Sequence, residues 1–242
     1  MYGTPVNDLE SGSSKNWVSD QRIRSGFVRK VLGLVLTQLI VFVAITSAFV
    51  YSDTVKVWAA SSSGSLVSLV CAVVVLVITV LPLCYPSAYR QYPKNYIILL
   101  VYTLALAAVI GGEAAKLTHS AGSQIFLQAL VVTAVVVAAL VAFASFSNVD
   151  MTTFLPYVVT LSMALLCGLV IGVVVGSKLL NTAMSVLSAA IFGLYVMIDL
   201  QLIMGRGSLK LSEDEYVLAA IMVYTDVAYL FLEIMRLSKS DD

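Results

Sequence analysis

The fold turns on the stretch Ala129-Leu-Val-Val-Thr-Ala-Val-Val-Val-Ala-Ala-Leu-Val-Ala-Phe-Ala144, sixteen residues without a single charge. The run around it, Gly122–Phe146, stays apolar for 25 residues, and about 20 such residues are enough to cross a bilayer as a helix. Its Val, Ala and Leu follow no two-residue alternation, which excludes the strand of a membrane barrel. Six further runs share this character: Val31–Tyr51, Ser65–Tyr85, Tyr96–Gly112, Phe154–Gly176, Met184–Met204 and Tyr216–Arg236. The loops between the seven runs hold 13, 10, 9, 7, 7 and 11 residues, too few for a folded domain. The expectation is an all-α integral membrane protein, a seven-transmembrane-helix bundle over residues 31–236. Residues 1–30 form a polar, largely disordered tail with an amphipathic lead-in, and residues 237–242 form a short C-terminal tail.

Composition supports this. Of 242 residues, 60% are apolar and 12% charged, with a mean hydropathy of +0.97; soluble domains carry about twice that share of charge. Fourteen basic and fourteen acidic residues cancel, so no basic field exists to hold nucleic acid. Cys71, Cys84 and Cys167 all lie inside apolar runs, which argues against a disulfide framework or a zinc cluster. The single histidine, His119, falls in the third loop, away from any ligand cluster.

Basic residues give an orientation. The N-terminal tail and the even-numbered loops carry nine Lys/Arg, against five for the odd-numbered loops and the C-terminus. The positive-inside rule then places the N-terminus in the cytosol. Within the tail, Ile23 and Phe27 lie four apart among Arg22, Arg24, Arg29 and Lys30, which suits a short amphipathic helix at the headgroups. Trp17 is a candidate interfacial anchor. The last run, which contains Asp226 and Glu233, reads either as a full span or as a re-entrant segment.

Charged side chains inside a membrane are costly unless they face the bundle interior and find a partner. The first five runs have none. Asp199 lies five residues before the end of the sixth run, about 7 Å deep, and Asp226 ten residues into the seventh, about 15 Å deep. The short loop between these runs makes them antiparallel neighbours, so the two carboxyls can meet. A pair of carboxylates in apolar surroundings cannot cheaply stay doubly ionised and tends to share a proton. Such a pair serves as a pH sensor, a cation site or an acid–base dyad. Two separately satisfied aspartates are the plainer alternative. Glu233, seven residues after Asp226, continues the acidic track on one helix face and is a possible pore-lining residue. Arg90, after the second run, is a candidate latch to an aspartate, with Pro82 permitting a kink in the helix that carries it. Gly168, Gly172 and Gly176 form a ladder for close helix packing. Tyr195, four residues before Asp199, could cap that carboxyl, whereas Tyr224 and Tyr229 read as packing residues.

The text around the two aspartates then carries a resemblance. Tyr195-Val-Met-Ile-Asp-Leu-Gln-Leu-Ile-Met-Gly205, Leu211-Ser-Glu-Asp-Glu-Tyr-Val217 and Val223-Tyr-Thr-Asp-Val-Ala-Tyr-Leu-Phe-Leu232 resemble the C-terminal signature of the Bax inhibitor-1 superfamily, in its Lifeguard branch. Gln21-Arg-Ile-Arg-Ser-Gly-Phe-Val-Arg-Lys-Val31, Thr37-Gln-Leu39 and Tyr92-Pro-Lys-Asn-Tyr96 match the same group near the front of the chain. The resemblance implies seven helices with the last one central, a passive Ca²⁺ leak, and suppression of cell death. It also implies that Asp199 and Asp226 form the pH-sensing Ca²⁺ site, and that Arg90 latches it. Ile198 stands where the group usually has tyrosine.

The leading expectation is therefore a pH-sensitive cation leak, with Ca²⁺ as the transported or bound ion and no other cofactor. Its partners are the lipid bilayer and other membrane proteins of the cell-death or calcium-handling machinery. The expected location is the ER, Golgi or plasma membrane. A non-conducting interaction protein is the alternative. An intramembrane aspartyl protease is more remote, because Tyr224-Thr-Asp226 replaces the Gly-x-Gly-Asp motif expected of one.

Overall fold

The computed structural model describes the backbone of residues 7–240, and side chains from Gln21 onward except at residues 169, 171, 173, 174 and 240. The helices are α1 (Asn7–Tyr51), α2 (Asp53–Ala60), α3 (Ser62–Cys84), α4 (Lys94–Ala121), α5 (Gln124–Phe146), α6 (Leu155–Val175), α7 (Lys178–Met204) and α8 (Tyr216–Ser240). Seven helical segments are long and apolar enough to span a membrane. The protein is a multi-pass integral membrane protein. No strand occurs among the described residues.

The bundle is built around α8. In this helix 67% of the apolar window is buried, whereas in α3 only 6% is. An exposed α3 is no defect, because Leu66, Leu69, Val73 and Leu76 point where acyl chains replace water. Aromatic edges fix α8 to its neighbours. Phe231 packs edge-on against Phe42 of α1 at 5.5 Å and Phe126 of α5 at 5.7 Å between ring centres. Tyr224 meets Tyr102 of α4 in the same manner at 6.3 Å. Its 25 residues make about 37 Å of continuous helix, enough to cross a hydrocarbon core of about 30 Å.

Helix α1 is continuous in its backbone from Asn7. Residues 21–30 thus form the first turns of the spanning helix. The Trp17 side chain lies outside the described residues. The structure corrects the sequence reading at two of the expected loops. The first loop contains α2, an interfacial helix whose buried face is Ala59. Helix α4 continues to Ala121, which turns the expected third loop into helix. There Glu113 and Lys116 pair at 2.8 Å, three residues apart, and His119 sits in the last turn. A salt-bridged turn with its polar groups at the interface extends a helix at no desolvation cost.

The glycine ladder joins α6 to α7. A methyl group on Gly168 would press Met184 Sδ at 2.9 Å, and one on Gly172 would press Asn181 Oδ1 at 3.0 Å. Gly176 instead ends α6 with a left-handed φ of +67°. Gly205 ends α7 in the same way, with φ +66°, and a methyl there would also meet the Arg24 guanidinium at 3.0–3.2 Å. Only glycine combines that backbone with that clearance. Gly205→Ala should therefore lower stability by about 1–2 kcal/mol from the backbone alone. Thermal unfolding in detergent should show the midpoint drop, whereas Gly26→Ala, in α1 with open space around it, should hold or slightly raise the midpoint.

Candidate functional site at the α7–α8 interface

Between α7 and α8, the carboxyls of Asp199 and Asp226 face each other within hydrogen-bonding reach. The short connection of residues 205–215 makes the helices antiparallel, and the two carboxyls meet although the runs read from the sequence set them about 7 and 15 Å deep. Asp199 is buried, with 3% of its surface exposed, and Asp226 is half-buried. Both line a cavity of about 280 Å³. Its walls come from α3 (Thr79 and Pro82), α4 (Tyr102), α7 (Tyr195) and α8 (Thr225). A file of hydroxyls runs along one wall. The Tyr102 hydroxyl lies 2.7 Å from Thr225 Oγ1 and 3.5 Å from Thr79 Oγ1.

Pro82 shapes the outer wall. A proline cannot donate to the carbonyl four residues earlier, here that of Ile78. The Tyr89 hydroxyl donates to the Ile78 carbonyl instead, and Tyr89 itself is buried at 1% exposure. The backbone acceptor freed by Pro82 is thereby paired inside the protein, as a hydrocarbon environment requires.

The face bearing the even-numbered loops is tied together by four polar side chains. Arg24 of α1 donates to the carbonyls of Leu202 and Leu211, and its guanidinium lies 3.6 Å from Glu213. It thus occupies the C-terminal end of α7, where a cation is favoured by the helix dipole. Arg90 Nη2 donates to Glu215 Oε1 at 2.8 Å. Gln201, buried and two residues past Asp199, accepts from the Met151 amide at 2.7 Å and donates to the Val149 carbonyl at 2.9 Å. Asp150 accepts from the Ser208 amide at 2.8 Å and from the Thr152 hydroxyl; these bonds hold its carboxyl below the usual carboxylate range.

The predicted residues fall as follows. Asp199 and Asp226 are brought together. Arg90 is not brought to them: its ion pair is with Glu215, eleven residues and about 16 Å before Asp226 along α8. The 3₁₀ turn Pro86–Tyr89 carries it over the head of α8 rather than into the cavity. Tyr195 does not cap Asp199, because its hydroxyl lies 3.0 Å from Ser162 Oγ of α6. Glu233 lies outside the aspartate cavity; Arg236 donates to its Oε1 at 2.7 Å, while Oε2 is buried beside Ser185 of α7. Tyr224 and Tyr229 pack, the latter stacked on Phe192 at 5.2 Å. Sequence reasoning passed over Tyr102, Thr225, Arg24 and Gln201. A signal existed for Thr225, a hydroxyl directly beside Asp226 in the sequence. None existed for Arg24, which lay among four basic residues of equal standing.

The family model described as inhibitor of apoptosis-promoting Bax1 matches residues 24–242. The chain belongs to the Bax inhibitor-1 family. Protein lifeguard 3 of Mus musculus is 28% identical over 250 residues, covering 100% of this chain and 79% of that protein. Protein lifeguard 3 of Homo sapiens is 27% identical over 222 residues, with 90% and 70% covered. Protein LIFEGUARD 4 of Arabidopsis thaliana is also 27% identical over 222 residues, with 90% and 86% covered. The family match extends across all seven spans, including α7 and α8. The family is one of membrane proteins implicated in the regulation of apoptosis, and its names describe regulators rather than enzymes.

The two arginines differ in what they hold. Arg24→Gln should cost about 2–3 kcal/mol, because two carbonyls and a carboxylate lose a charged donor at a largely buried site. Arg90→Gln should cost less, since its ion pair is half-exposed and screened by solvent. Thermal melts of the two variants, compared in one detergent, check that order. Tyr89→Phe leaves the Ile78 carbonyl unpaired in an apolar wall and should cost about 1–3 kcal/mol by the same assay.

Proposed function

We propose that this protein is a passive, pH-sensitive cation leak, with Ca²⁺ the transported ion, and that the Asp199–Asp226 pair controls it. The observation that carries the reading is the meeting of two carboxyls on the wall of a cavity inside a membrane bundle. Protonation decides whether the pair shares a hydrogen bond or repels as two charges. A doubly ionised pair attracts a cation and pushes α7 from α8; a pair sharing one proton keeps a single charge without the repulsion, and a doubly protonated pair does neither.

The ligand chemistry favours transit over storage. Ca²⁺ takes six to eight oxygens in a tight site. The cavity supplies two carboxyls and the hydroxyls of Tyr102, Thr225 and Thr79, and no group of three or more acidic, His or Cys side chains suited to a metal occurs among the described residues. A cation held here keeps part of its water and is free to leave, as conduction requires. Beyond the pair, Glu233 is the next acidic group along α8, a second station toward the opposite surface. Arg90 acts on the site at a distance, by fixing the head of α8 through Glu215. On this reading the even-loop face is cytosolic, the membrane is that of the ER, Golgi or cell surface, and the protein lowers stored Ca²⁺ and so restrains cell death.

The test is Ca²⁺ entry into liposomes holding the purified protein and a trapped dye, from pH 5 to 8. Wild-type entry should vary with pH, and Asp199→Asn/Asp226→Asn should flatten the profile. Entry no greater than in empty liposomes, or a pH profile that survives in the folded double variant, refutes the mechanism. Cell protection retained by that variant would favour a non-conducting interaction protein.

A further inference from the structure

We infer that the even-loop face carries a site for an anionic phospholipid headgroup, formed by Lys30 of α1, Tyr92 and Tyr96 at the start of α4, and Tyr216 at the head of α8. These residues, with Pro93, Ile97 and Leu100, line an open groove of about 660 Å³, separate from the aspartate cavity. The Lys30 ammonium sits 3.2 Å from the centre of the Tyr216 ring. That contact fixes the charge in place and leaves its other N–H groups free to meet an anion. The ring is itself anchored, because its hydroxyl accepts from the fully buried Asn95 amide at 2.7 Å. Tyr96 stands against Tyr216 at 6.2 Å and Tyr92 against Tyr96 at 6.0 Å between ring centres, so three phenols share one side of the groove.

Among the described residues, no carboxylate pairs with the Lys30 ammonium. The nearby acidic run of loop 6 is engaged elsewhere, Glu213 with Arg24 and Glu215 with Arg90, and Asp214 is exposed. Lys30 makes no ion pair among the described residues, nor do the exposed Arg29 and Lys94 beside the groove.

Position along the bundle selects a lipid over a soluble anion or a protein. Lys30 is the last charged residue before the uncharged stretch Val31–Tyr51 of α1 and Lys94 begins α4, which sets the rim at headgroup level. Below it Ile97 and Leu100, each 57% exposed and three residues apart, continue down one face of α4 inside the hydrocarbon. A basic and phenolic rim above an apolar wall matches a phosphate above an acyl chain.

The experiment uses the full-length protein in phosphatidylcholine vesicles containing a trace of spin-labelled phosphatidylserine or phosphatidylcholine. The motionally restricted fraction should favour phosphatidylserine about fivefold at this site, the preference one basic residue confers near an anionic headgroup. Lys30→Gln should remove that preference, and Lys178→Gln, on the odd-loop side, should keep it. Equal restriction of the two lipids, or a preference that persists in a folded Lys30→Gln protein, overturns the site. Displacement of the label by soluble glycerophosphoserine at equal concentration also overturns it, since the site would then read a free anion and not a lipid. Ile97→Asn supplies a second check: it leaves Lys30 in place and should still weaken phosphatidylserine retention through the lost acyl wall.

Discussion

Two carboxyl groups facing each other between α7 and α8 set the terms for the rest of the molecule. Inside a bilayer an unpaired charge or backbone polar group has no water to turn to. The helix that carries Asp226 must therefore stand where other helices surround it, and the helix that carries Asp199 must stand beside it in antiparallel register. That is why α8, though flanked by charged loops, is the most buried span, and why α3, with no charged side chain at all, can face lipid. Placement in the bundle follows where the polar groups are rather than which helix is most hydrophobic.

The same requirement recurs on a smaller scale around the pair. Pro82 frees a carbonyl and Tyr89 takes it up. Gln201 enters the interior and satisfies a backbone amide and a backbone carbonyl at the loop between α5 and α6. Arg24 takes the last carbonyls of α7. Each of these groups serves a break in helical hydrogen bonding near Asp199 or Asp226. The C-terminal end of α7 is thus tied to α1 and to the α5–α6 loop, and the head of α8 is tied to the turn after α3 through Arg90 and Glu215.

Seven apolar runs, the antiparallel α7–α8 hairpin and the meeting of Asp199 with Asp226 were all legible in the sequence. Hydrophobic length is a nearly sufficient signal in a membrane, and a short loop leaves two long helices no choice but to lie side by side. The partners of the arginines were not legible. Arg90 lies one short turn beyond α3, and the direction of that turn decides between the cavity and Glu215; spacing along the chain contains no such direction. Arg24 shares its segment with Arg22, Arg29 and Lys30, and only the approach of α7's C-terminal end at Gly205 distinguishes it. Interfacial α2 and the long end of α4 were missed for a related reason: at the membrane boundary a polar residue is as much at home in a helix as in a loop, so composition stops reporting on structure there.

The two acidic stations on α8 differ in how they are balanced, and this bears on the leak reading. Glu233 has an arginine of its own helix three residues away, donating to one oxygen. Asp226 and Asp199 have no cation paired with them among the described residues, and only each other and a file of hydroxyls. A carboxylate paired with arginine has a permanent counter-charge beside it, so a passing ion gains less by approaching it. The aspartates offer a cation two charges when both are ionised, one when they share a proton, and none when both are protonated. If a single element along α8 decides passage, that contrast places it at the pair and leaves Glu233 as a resting point beyond it.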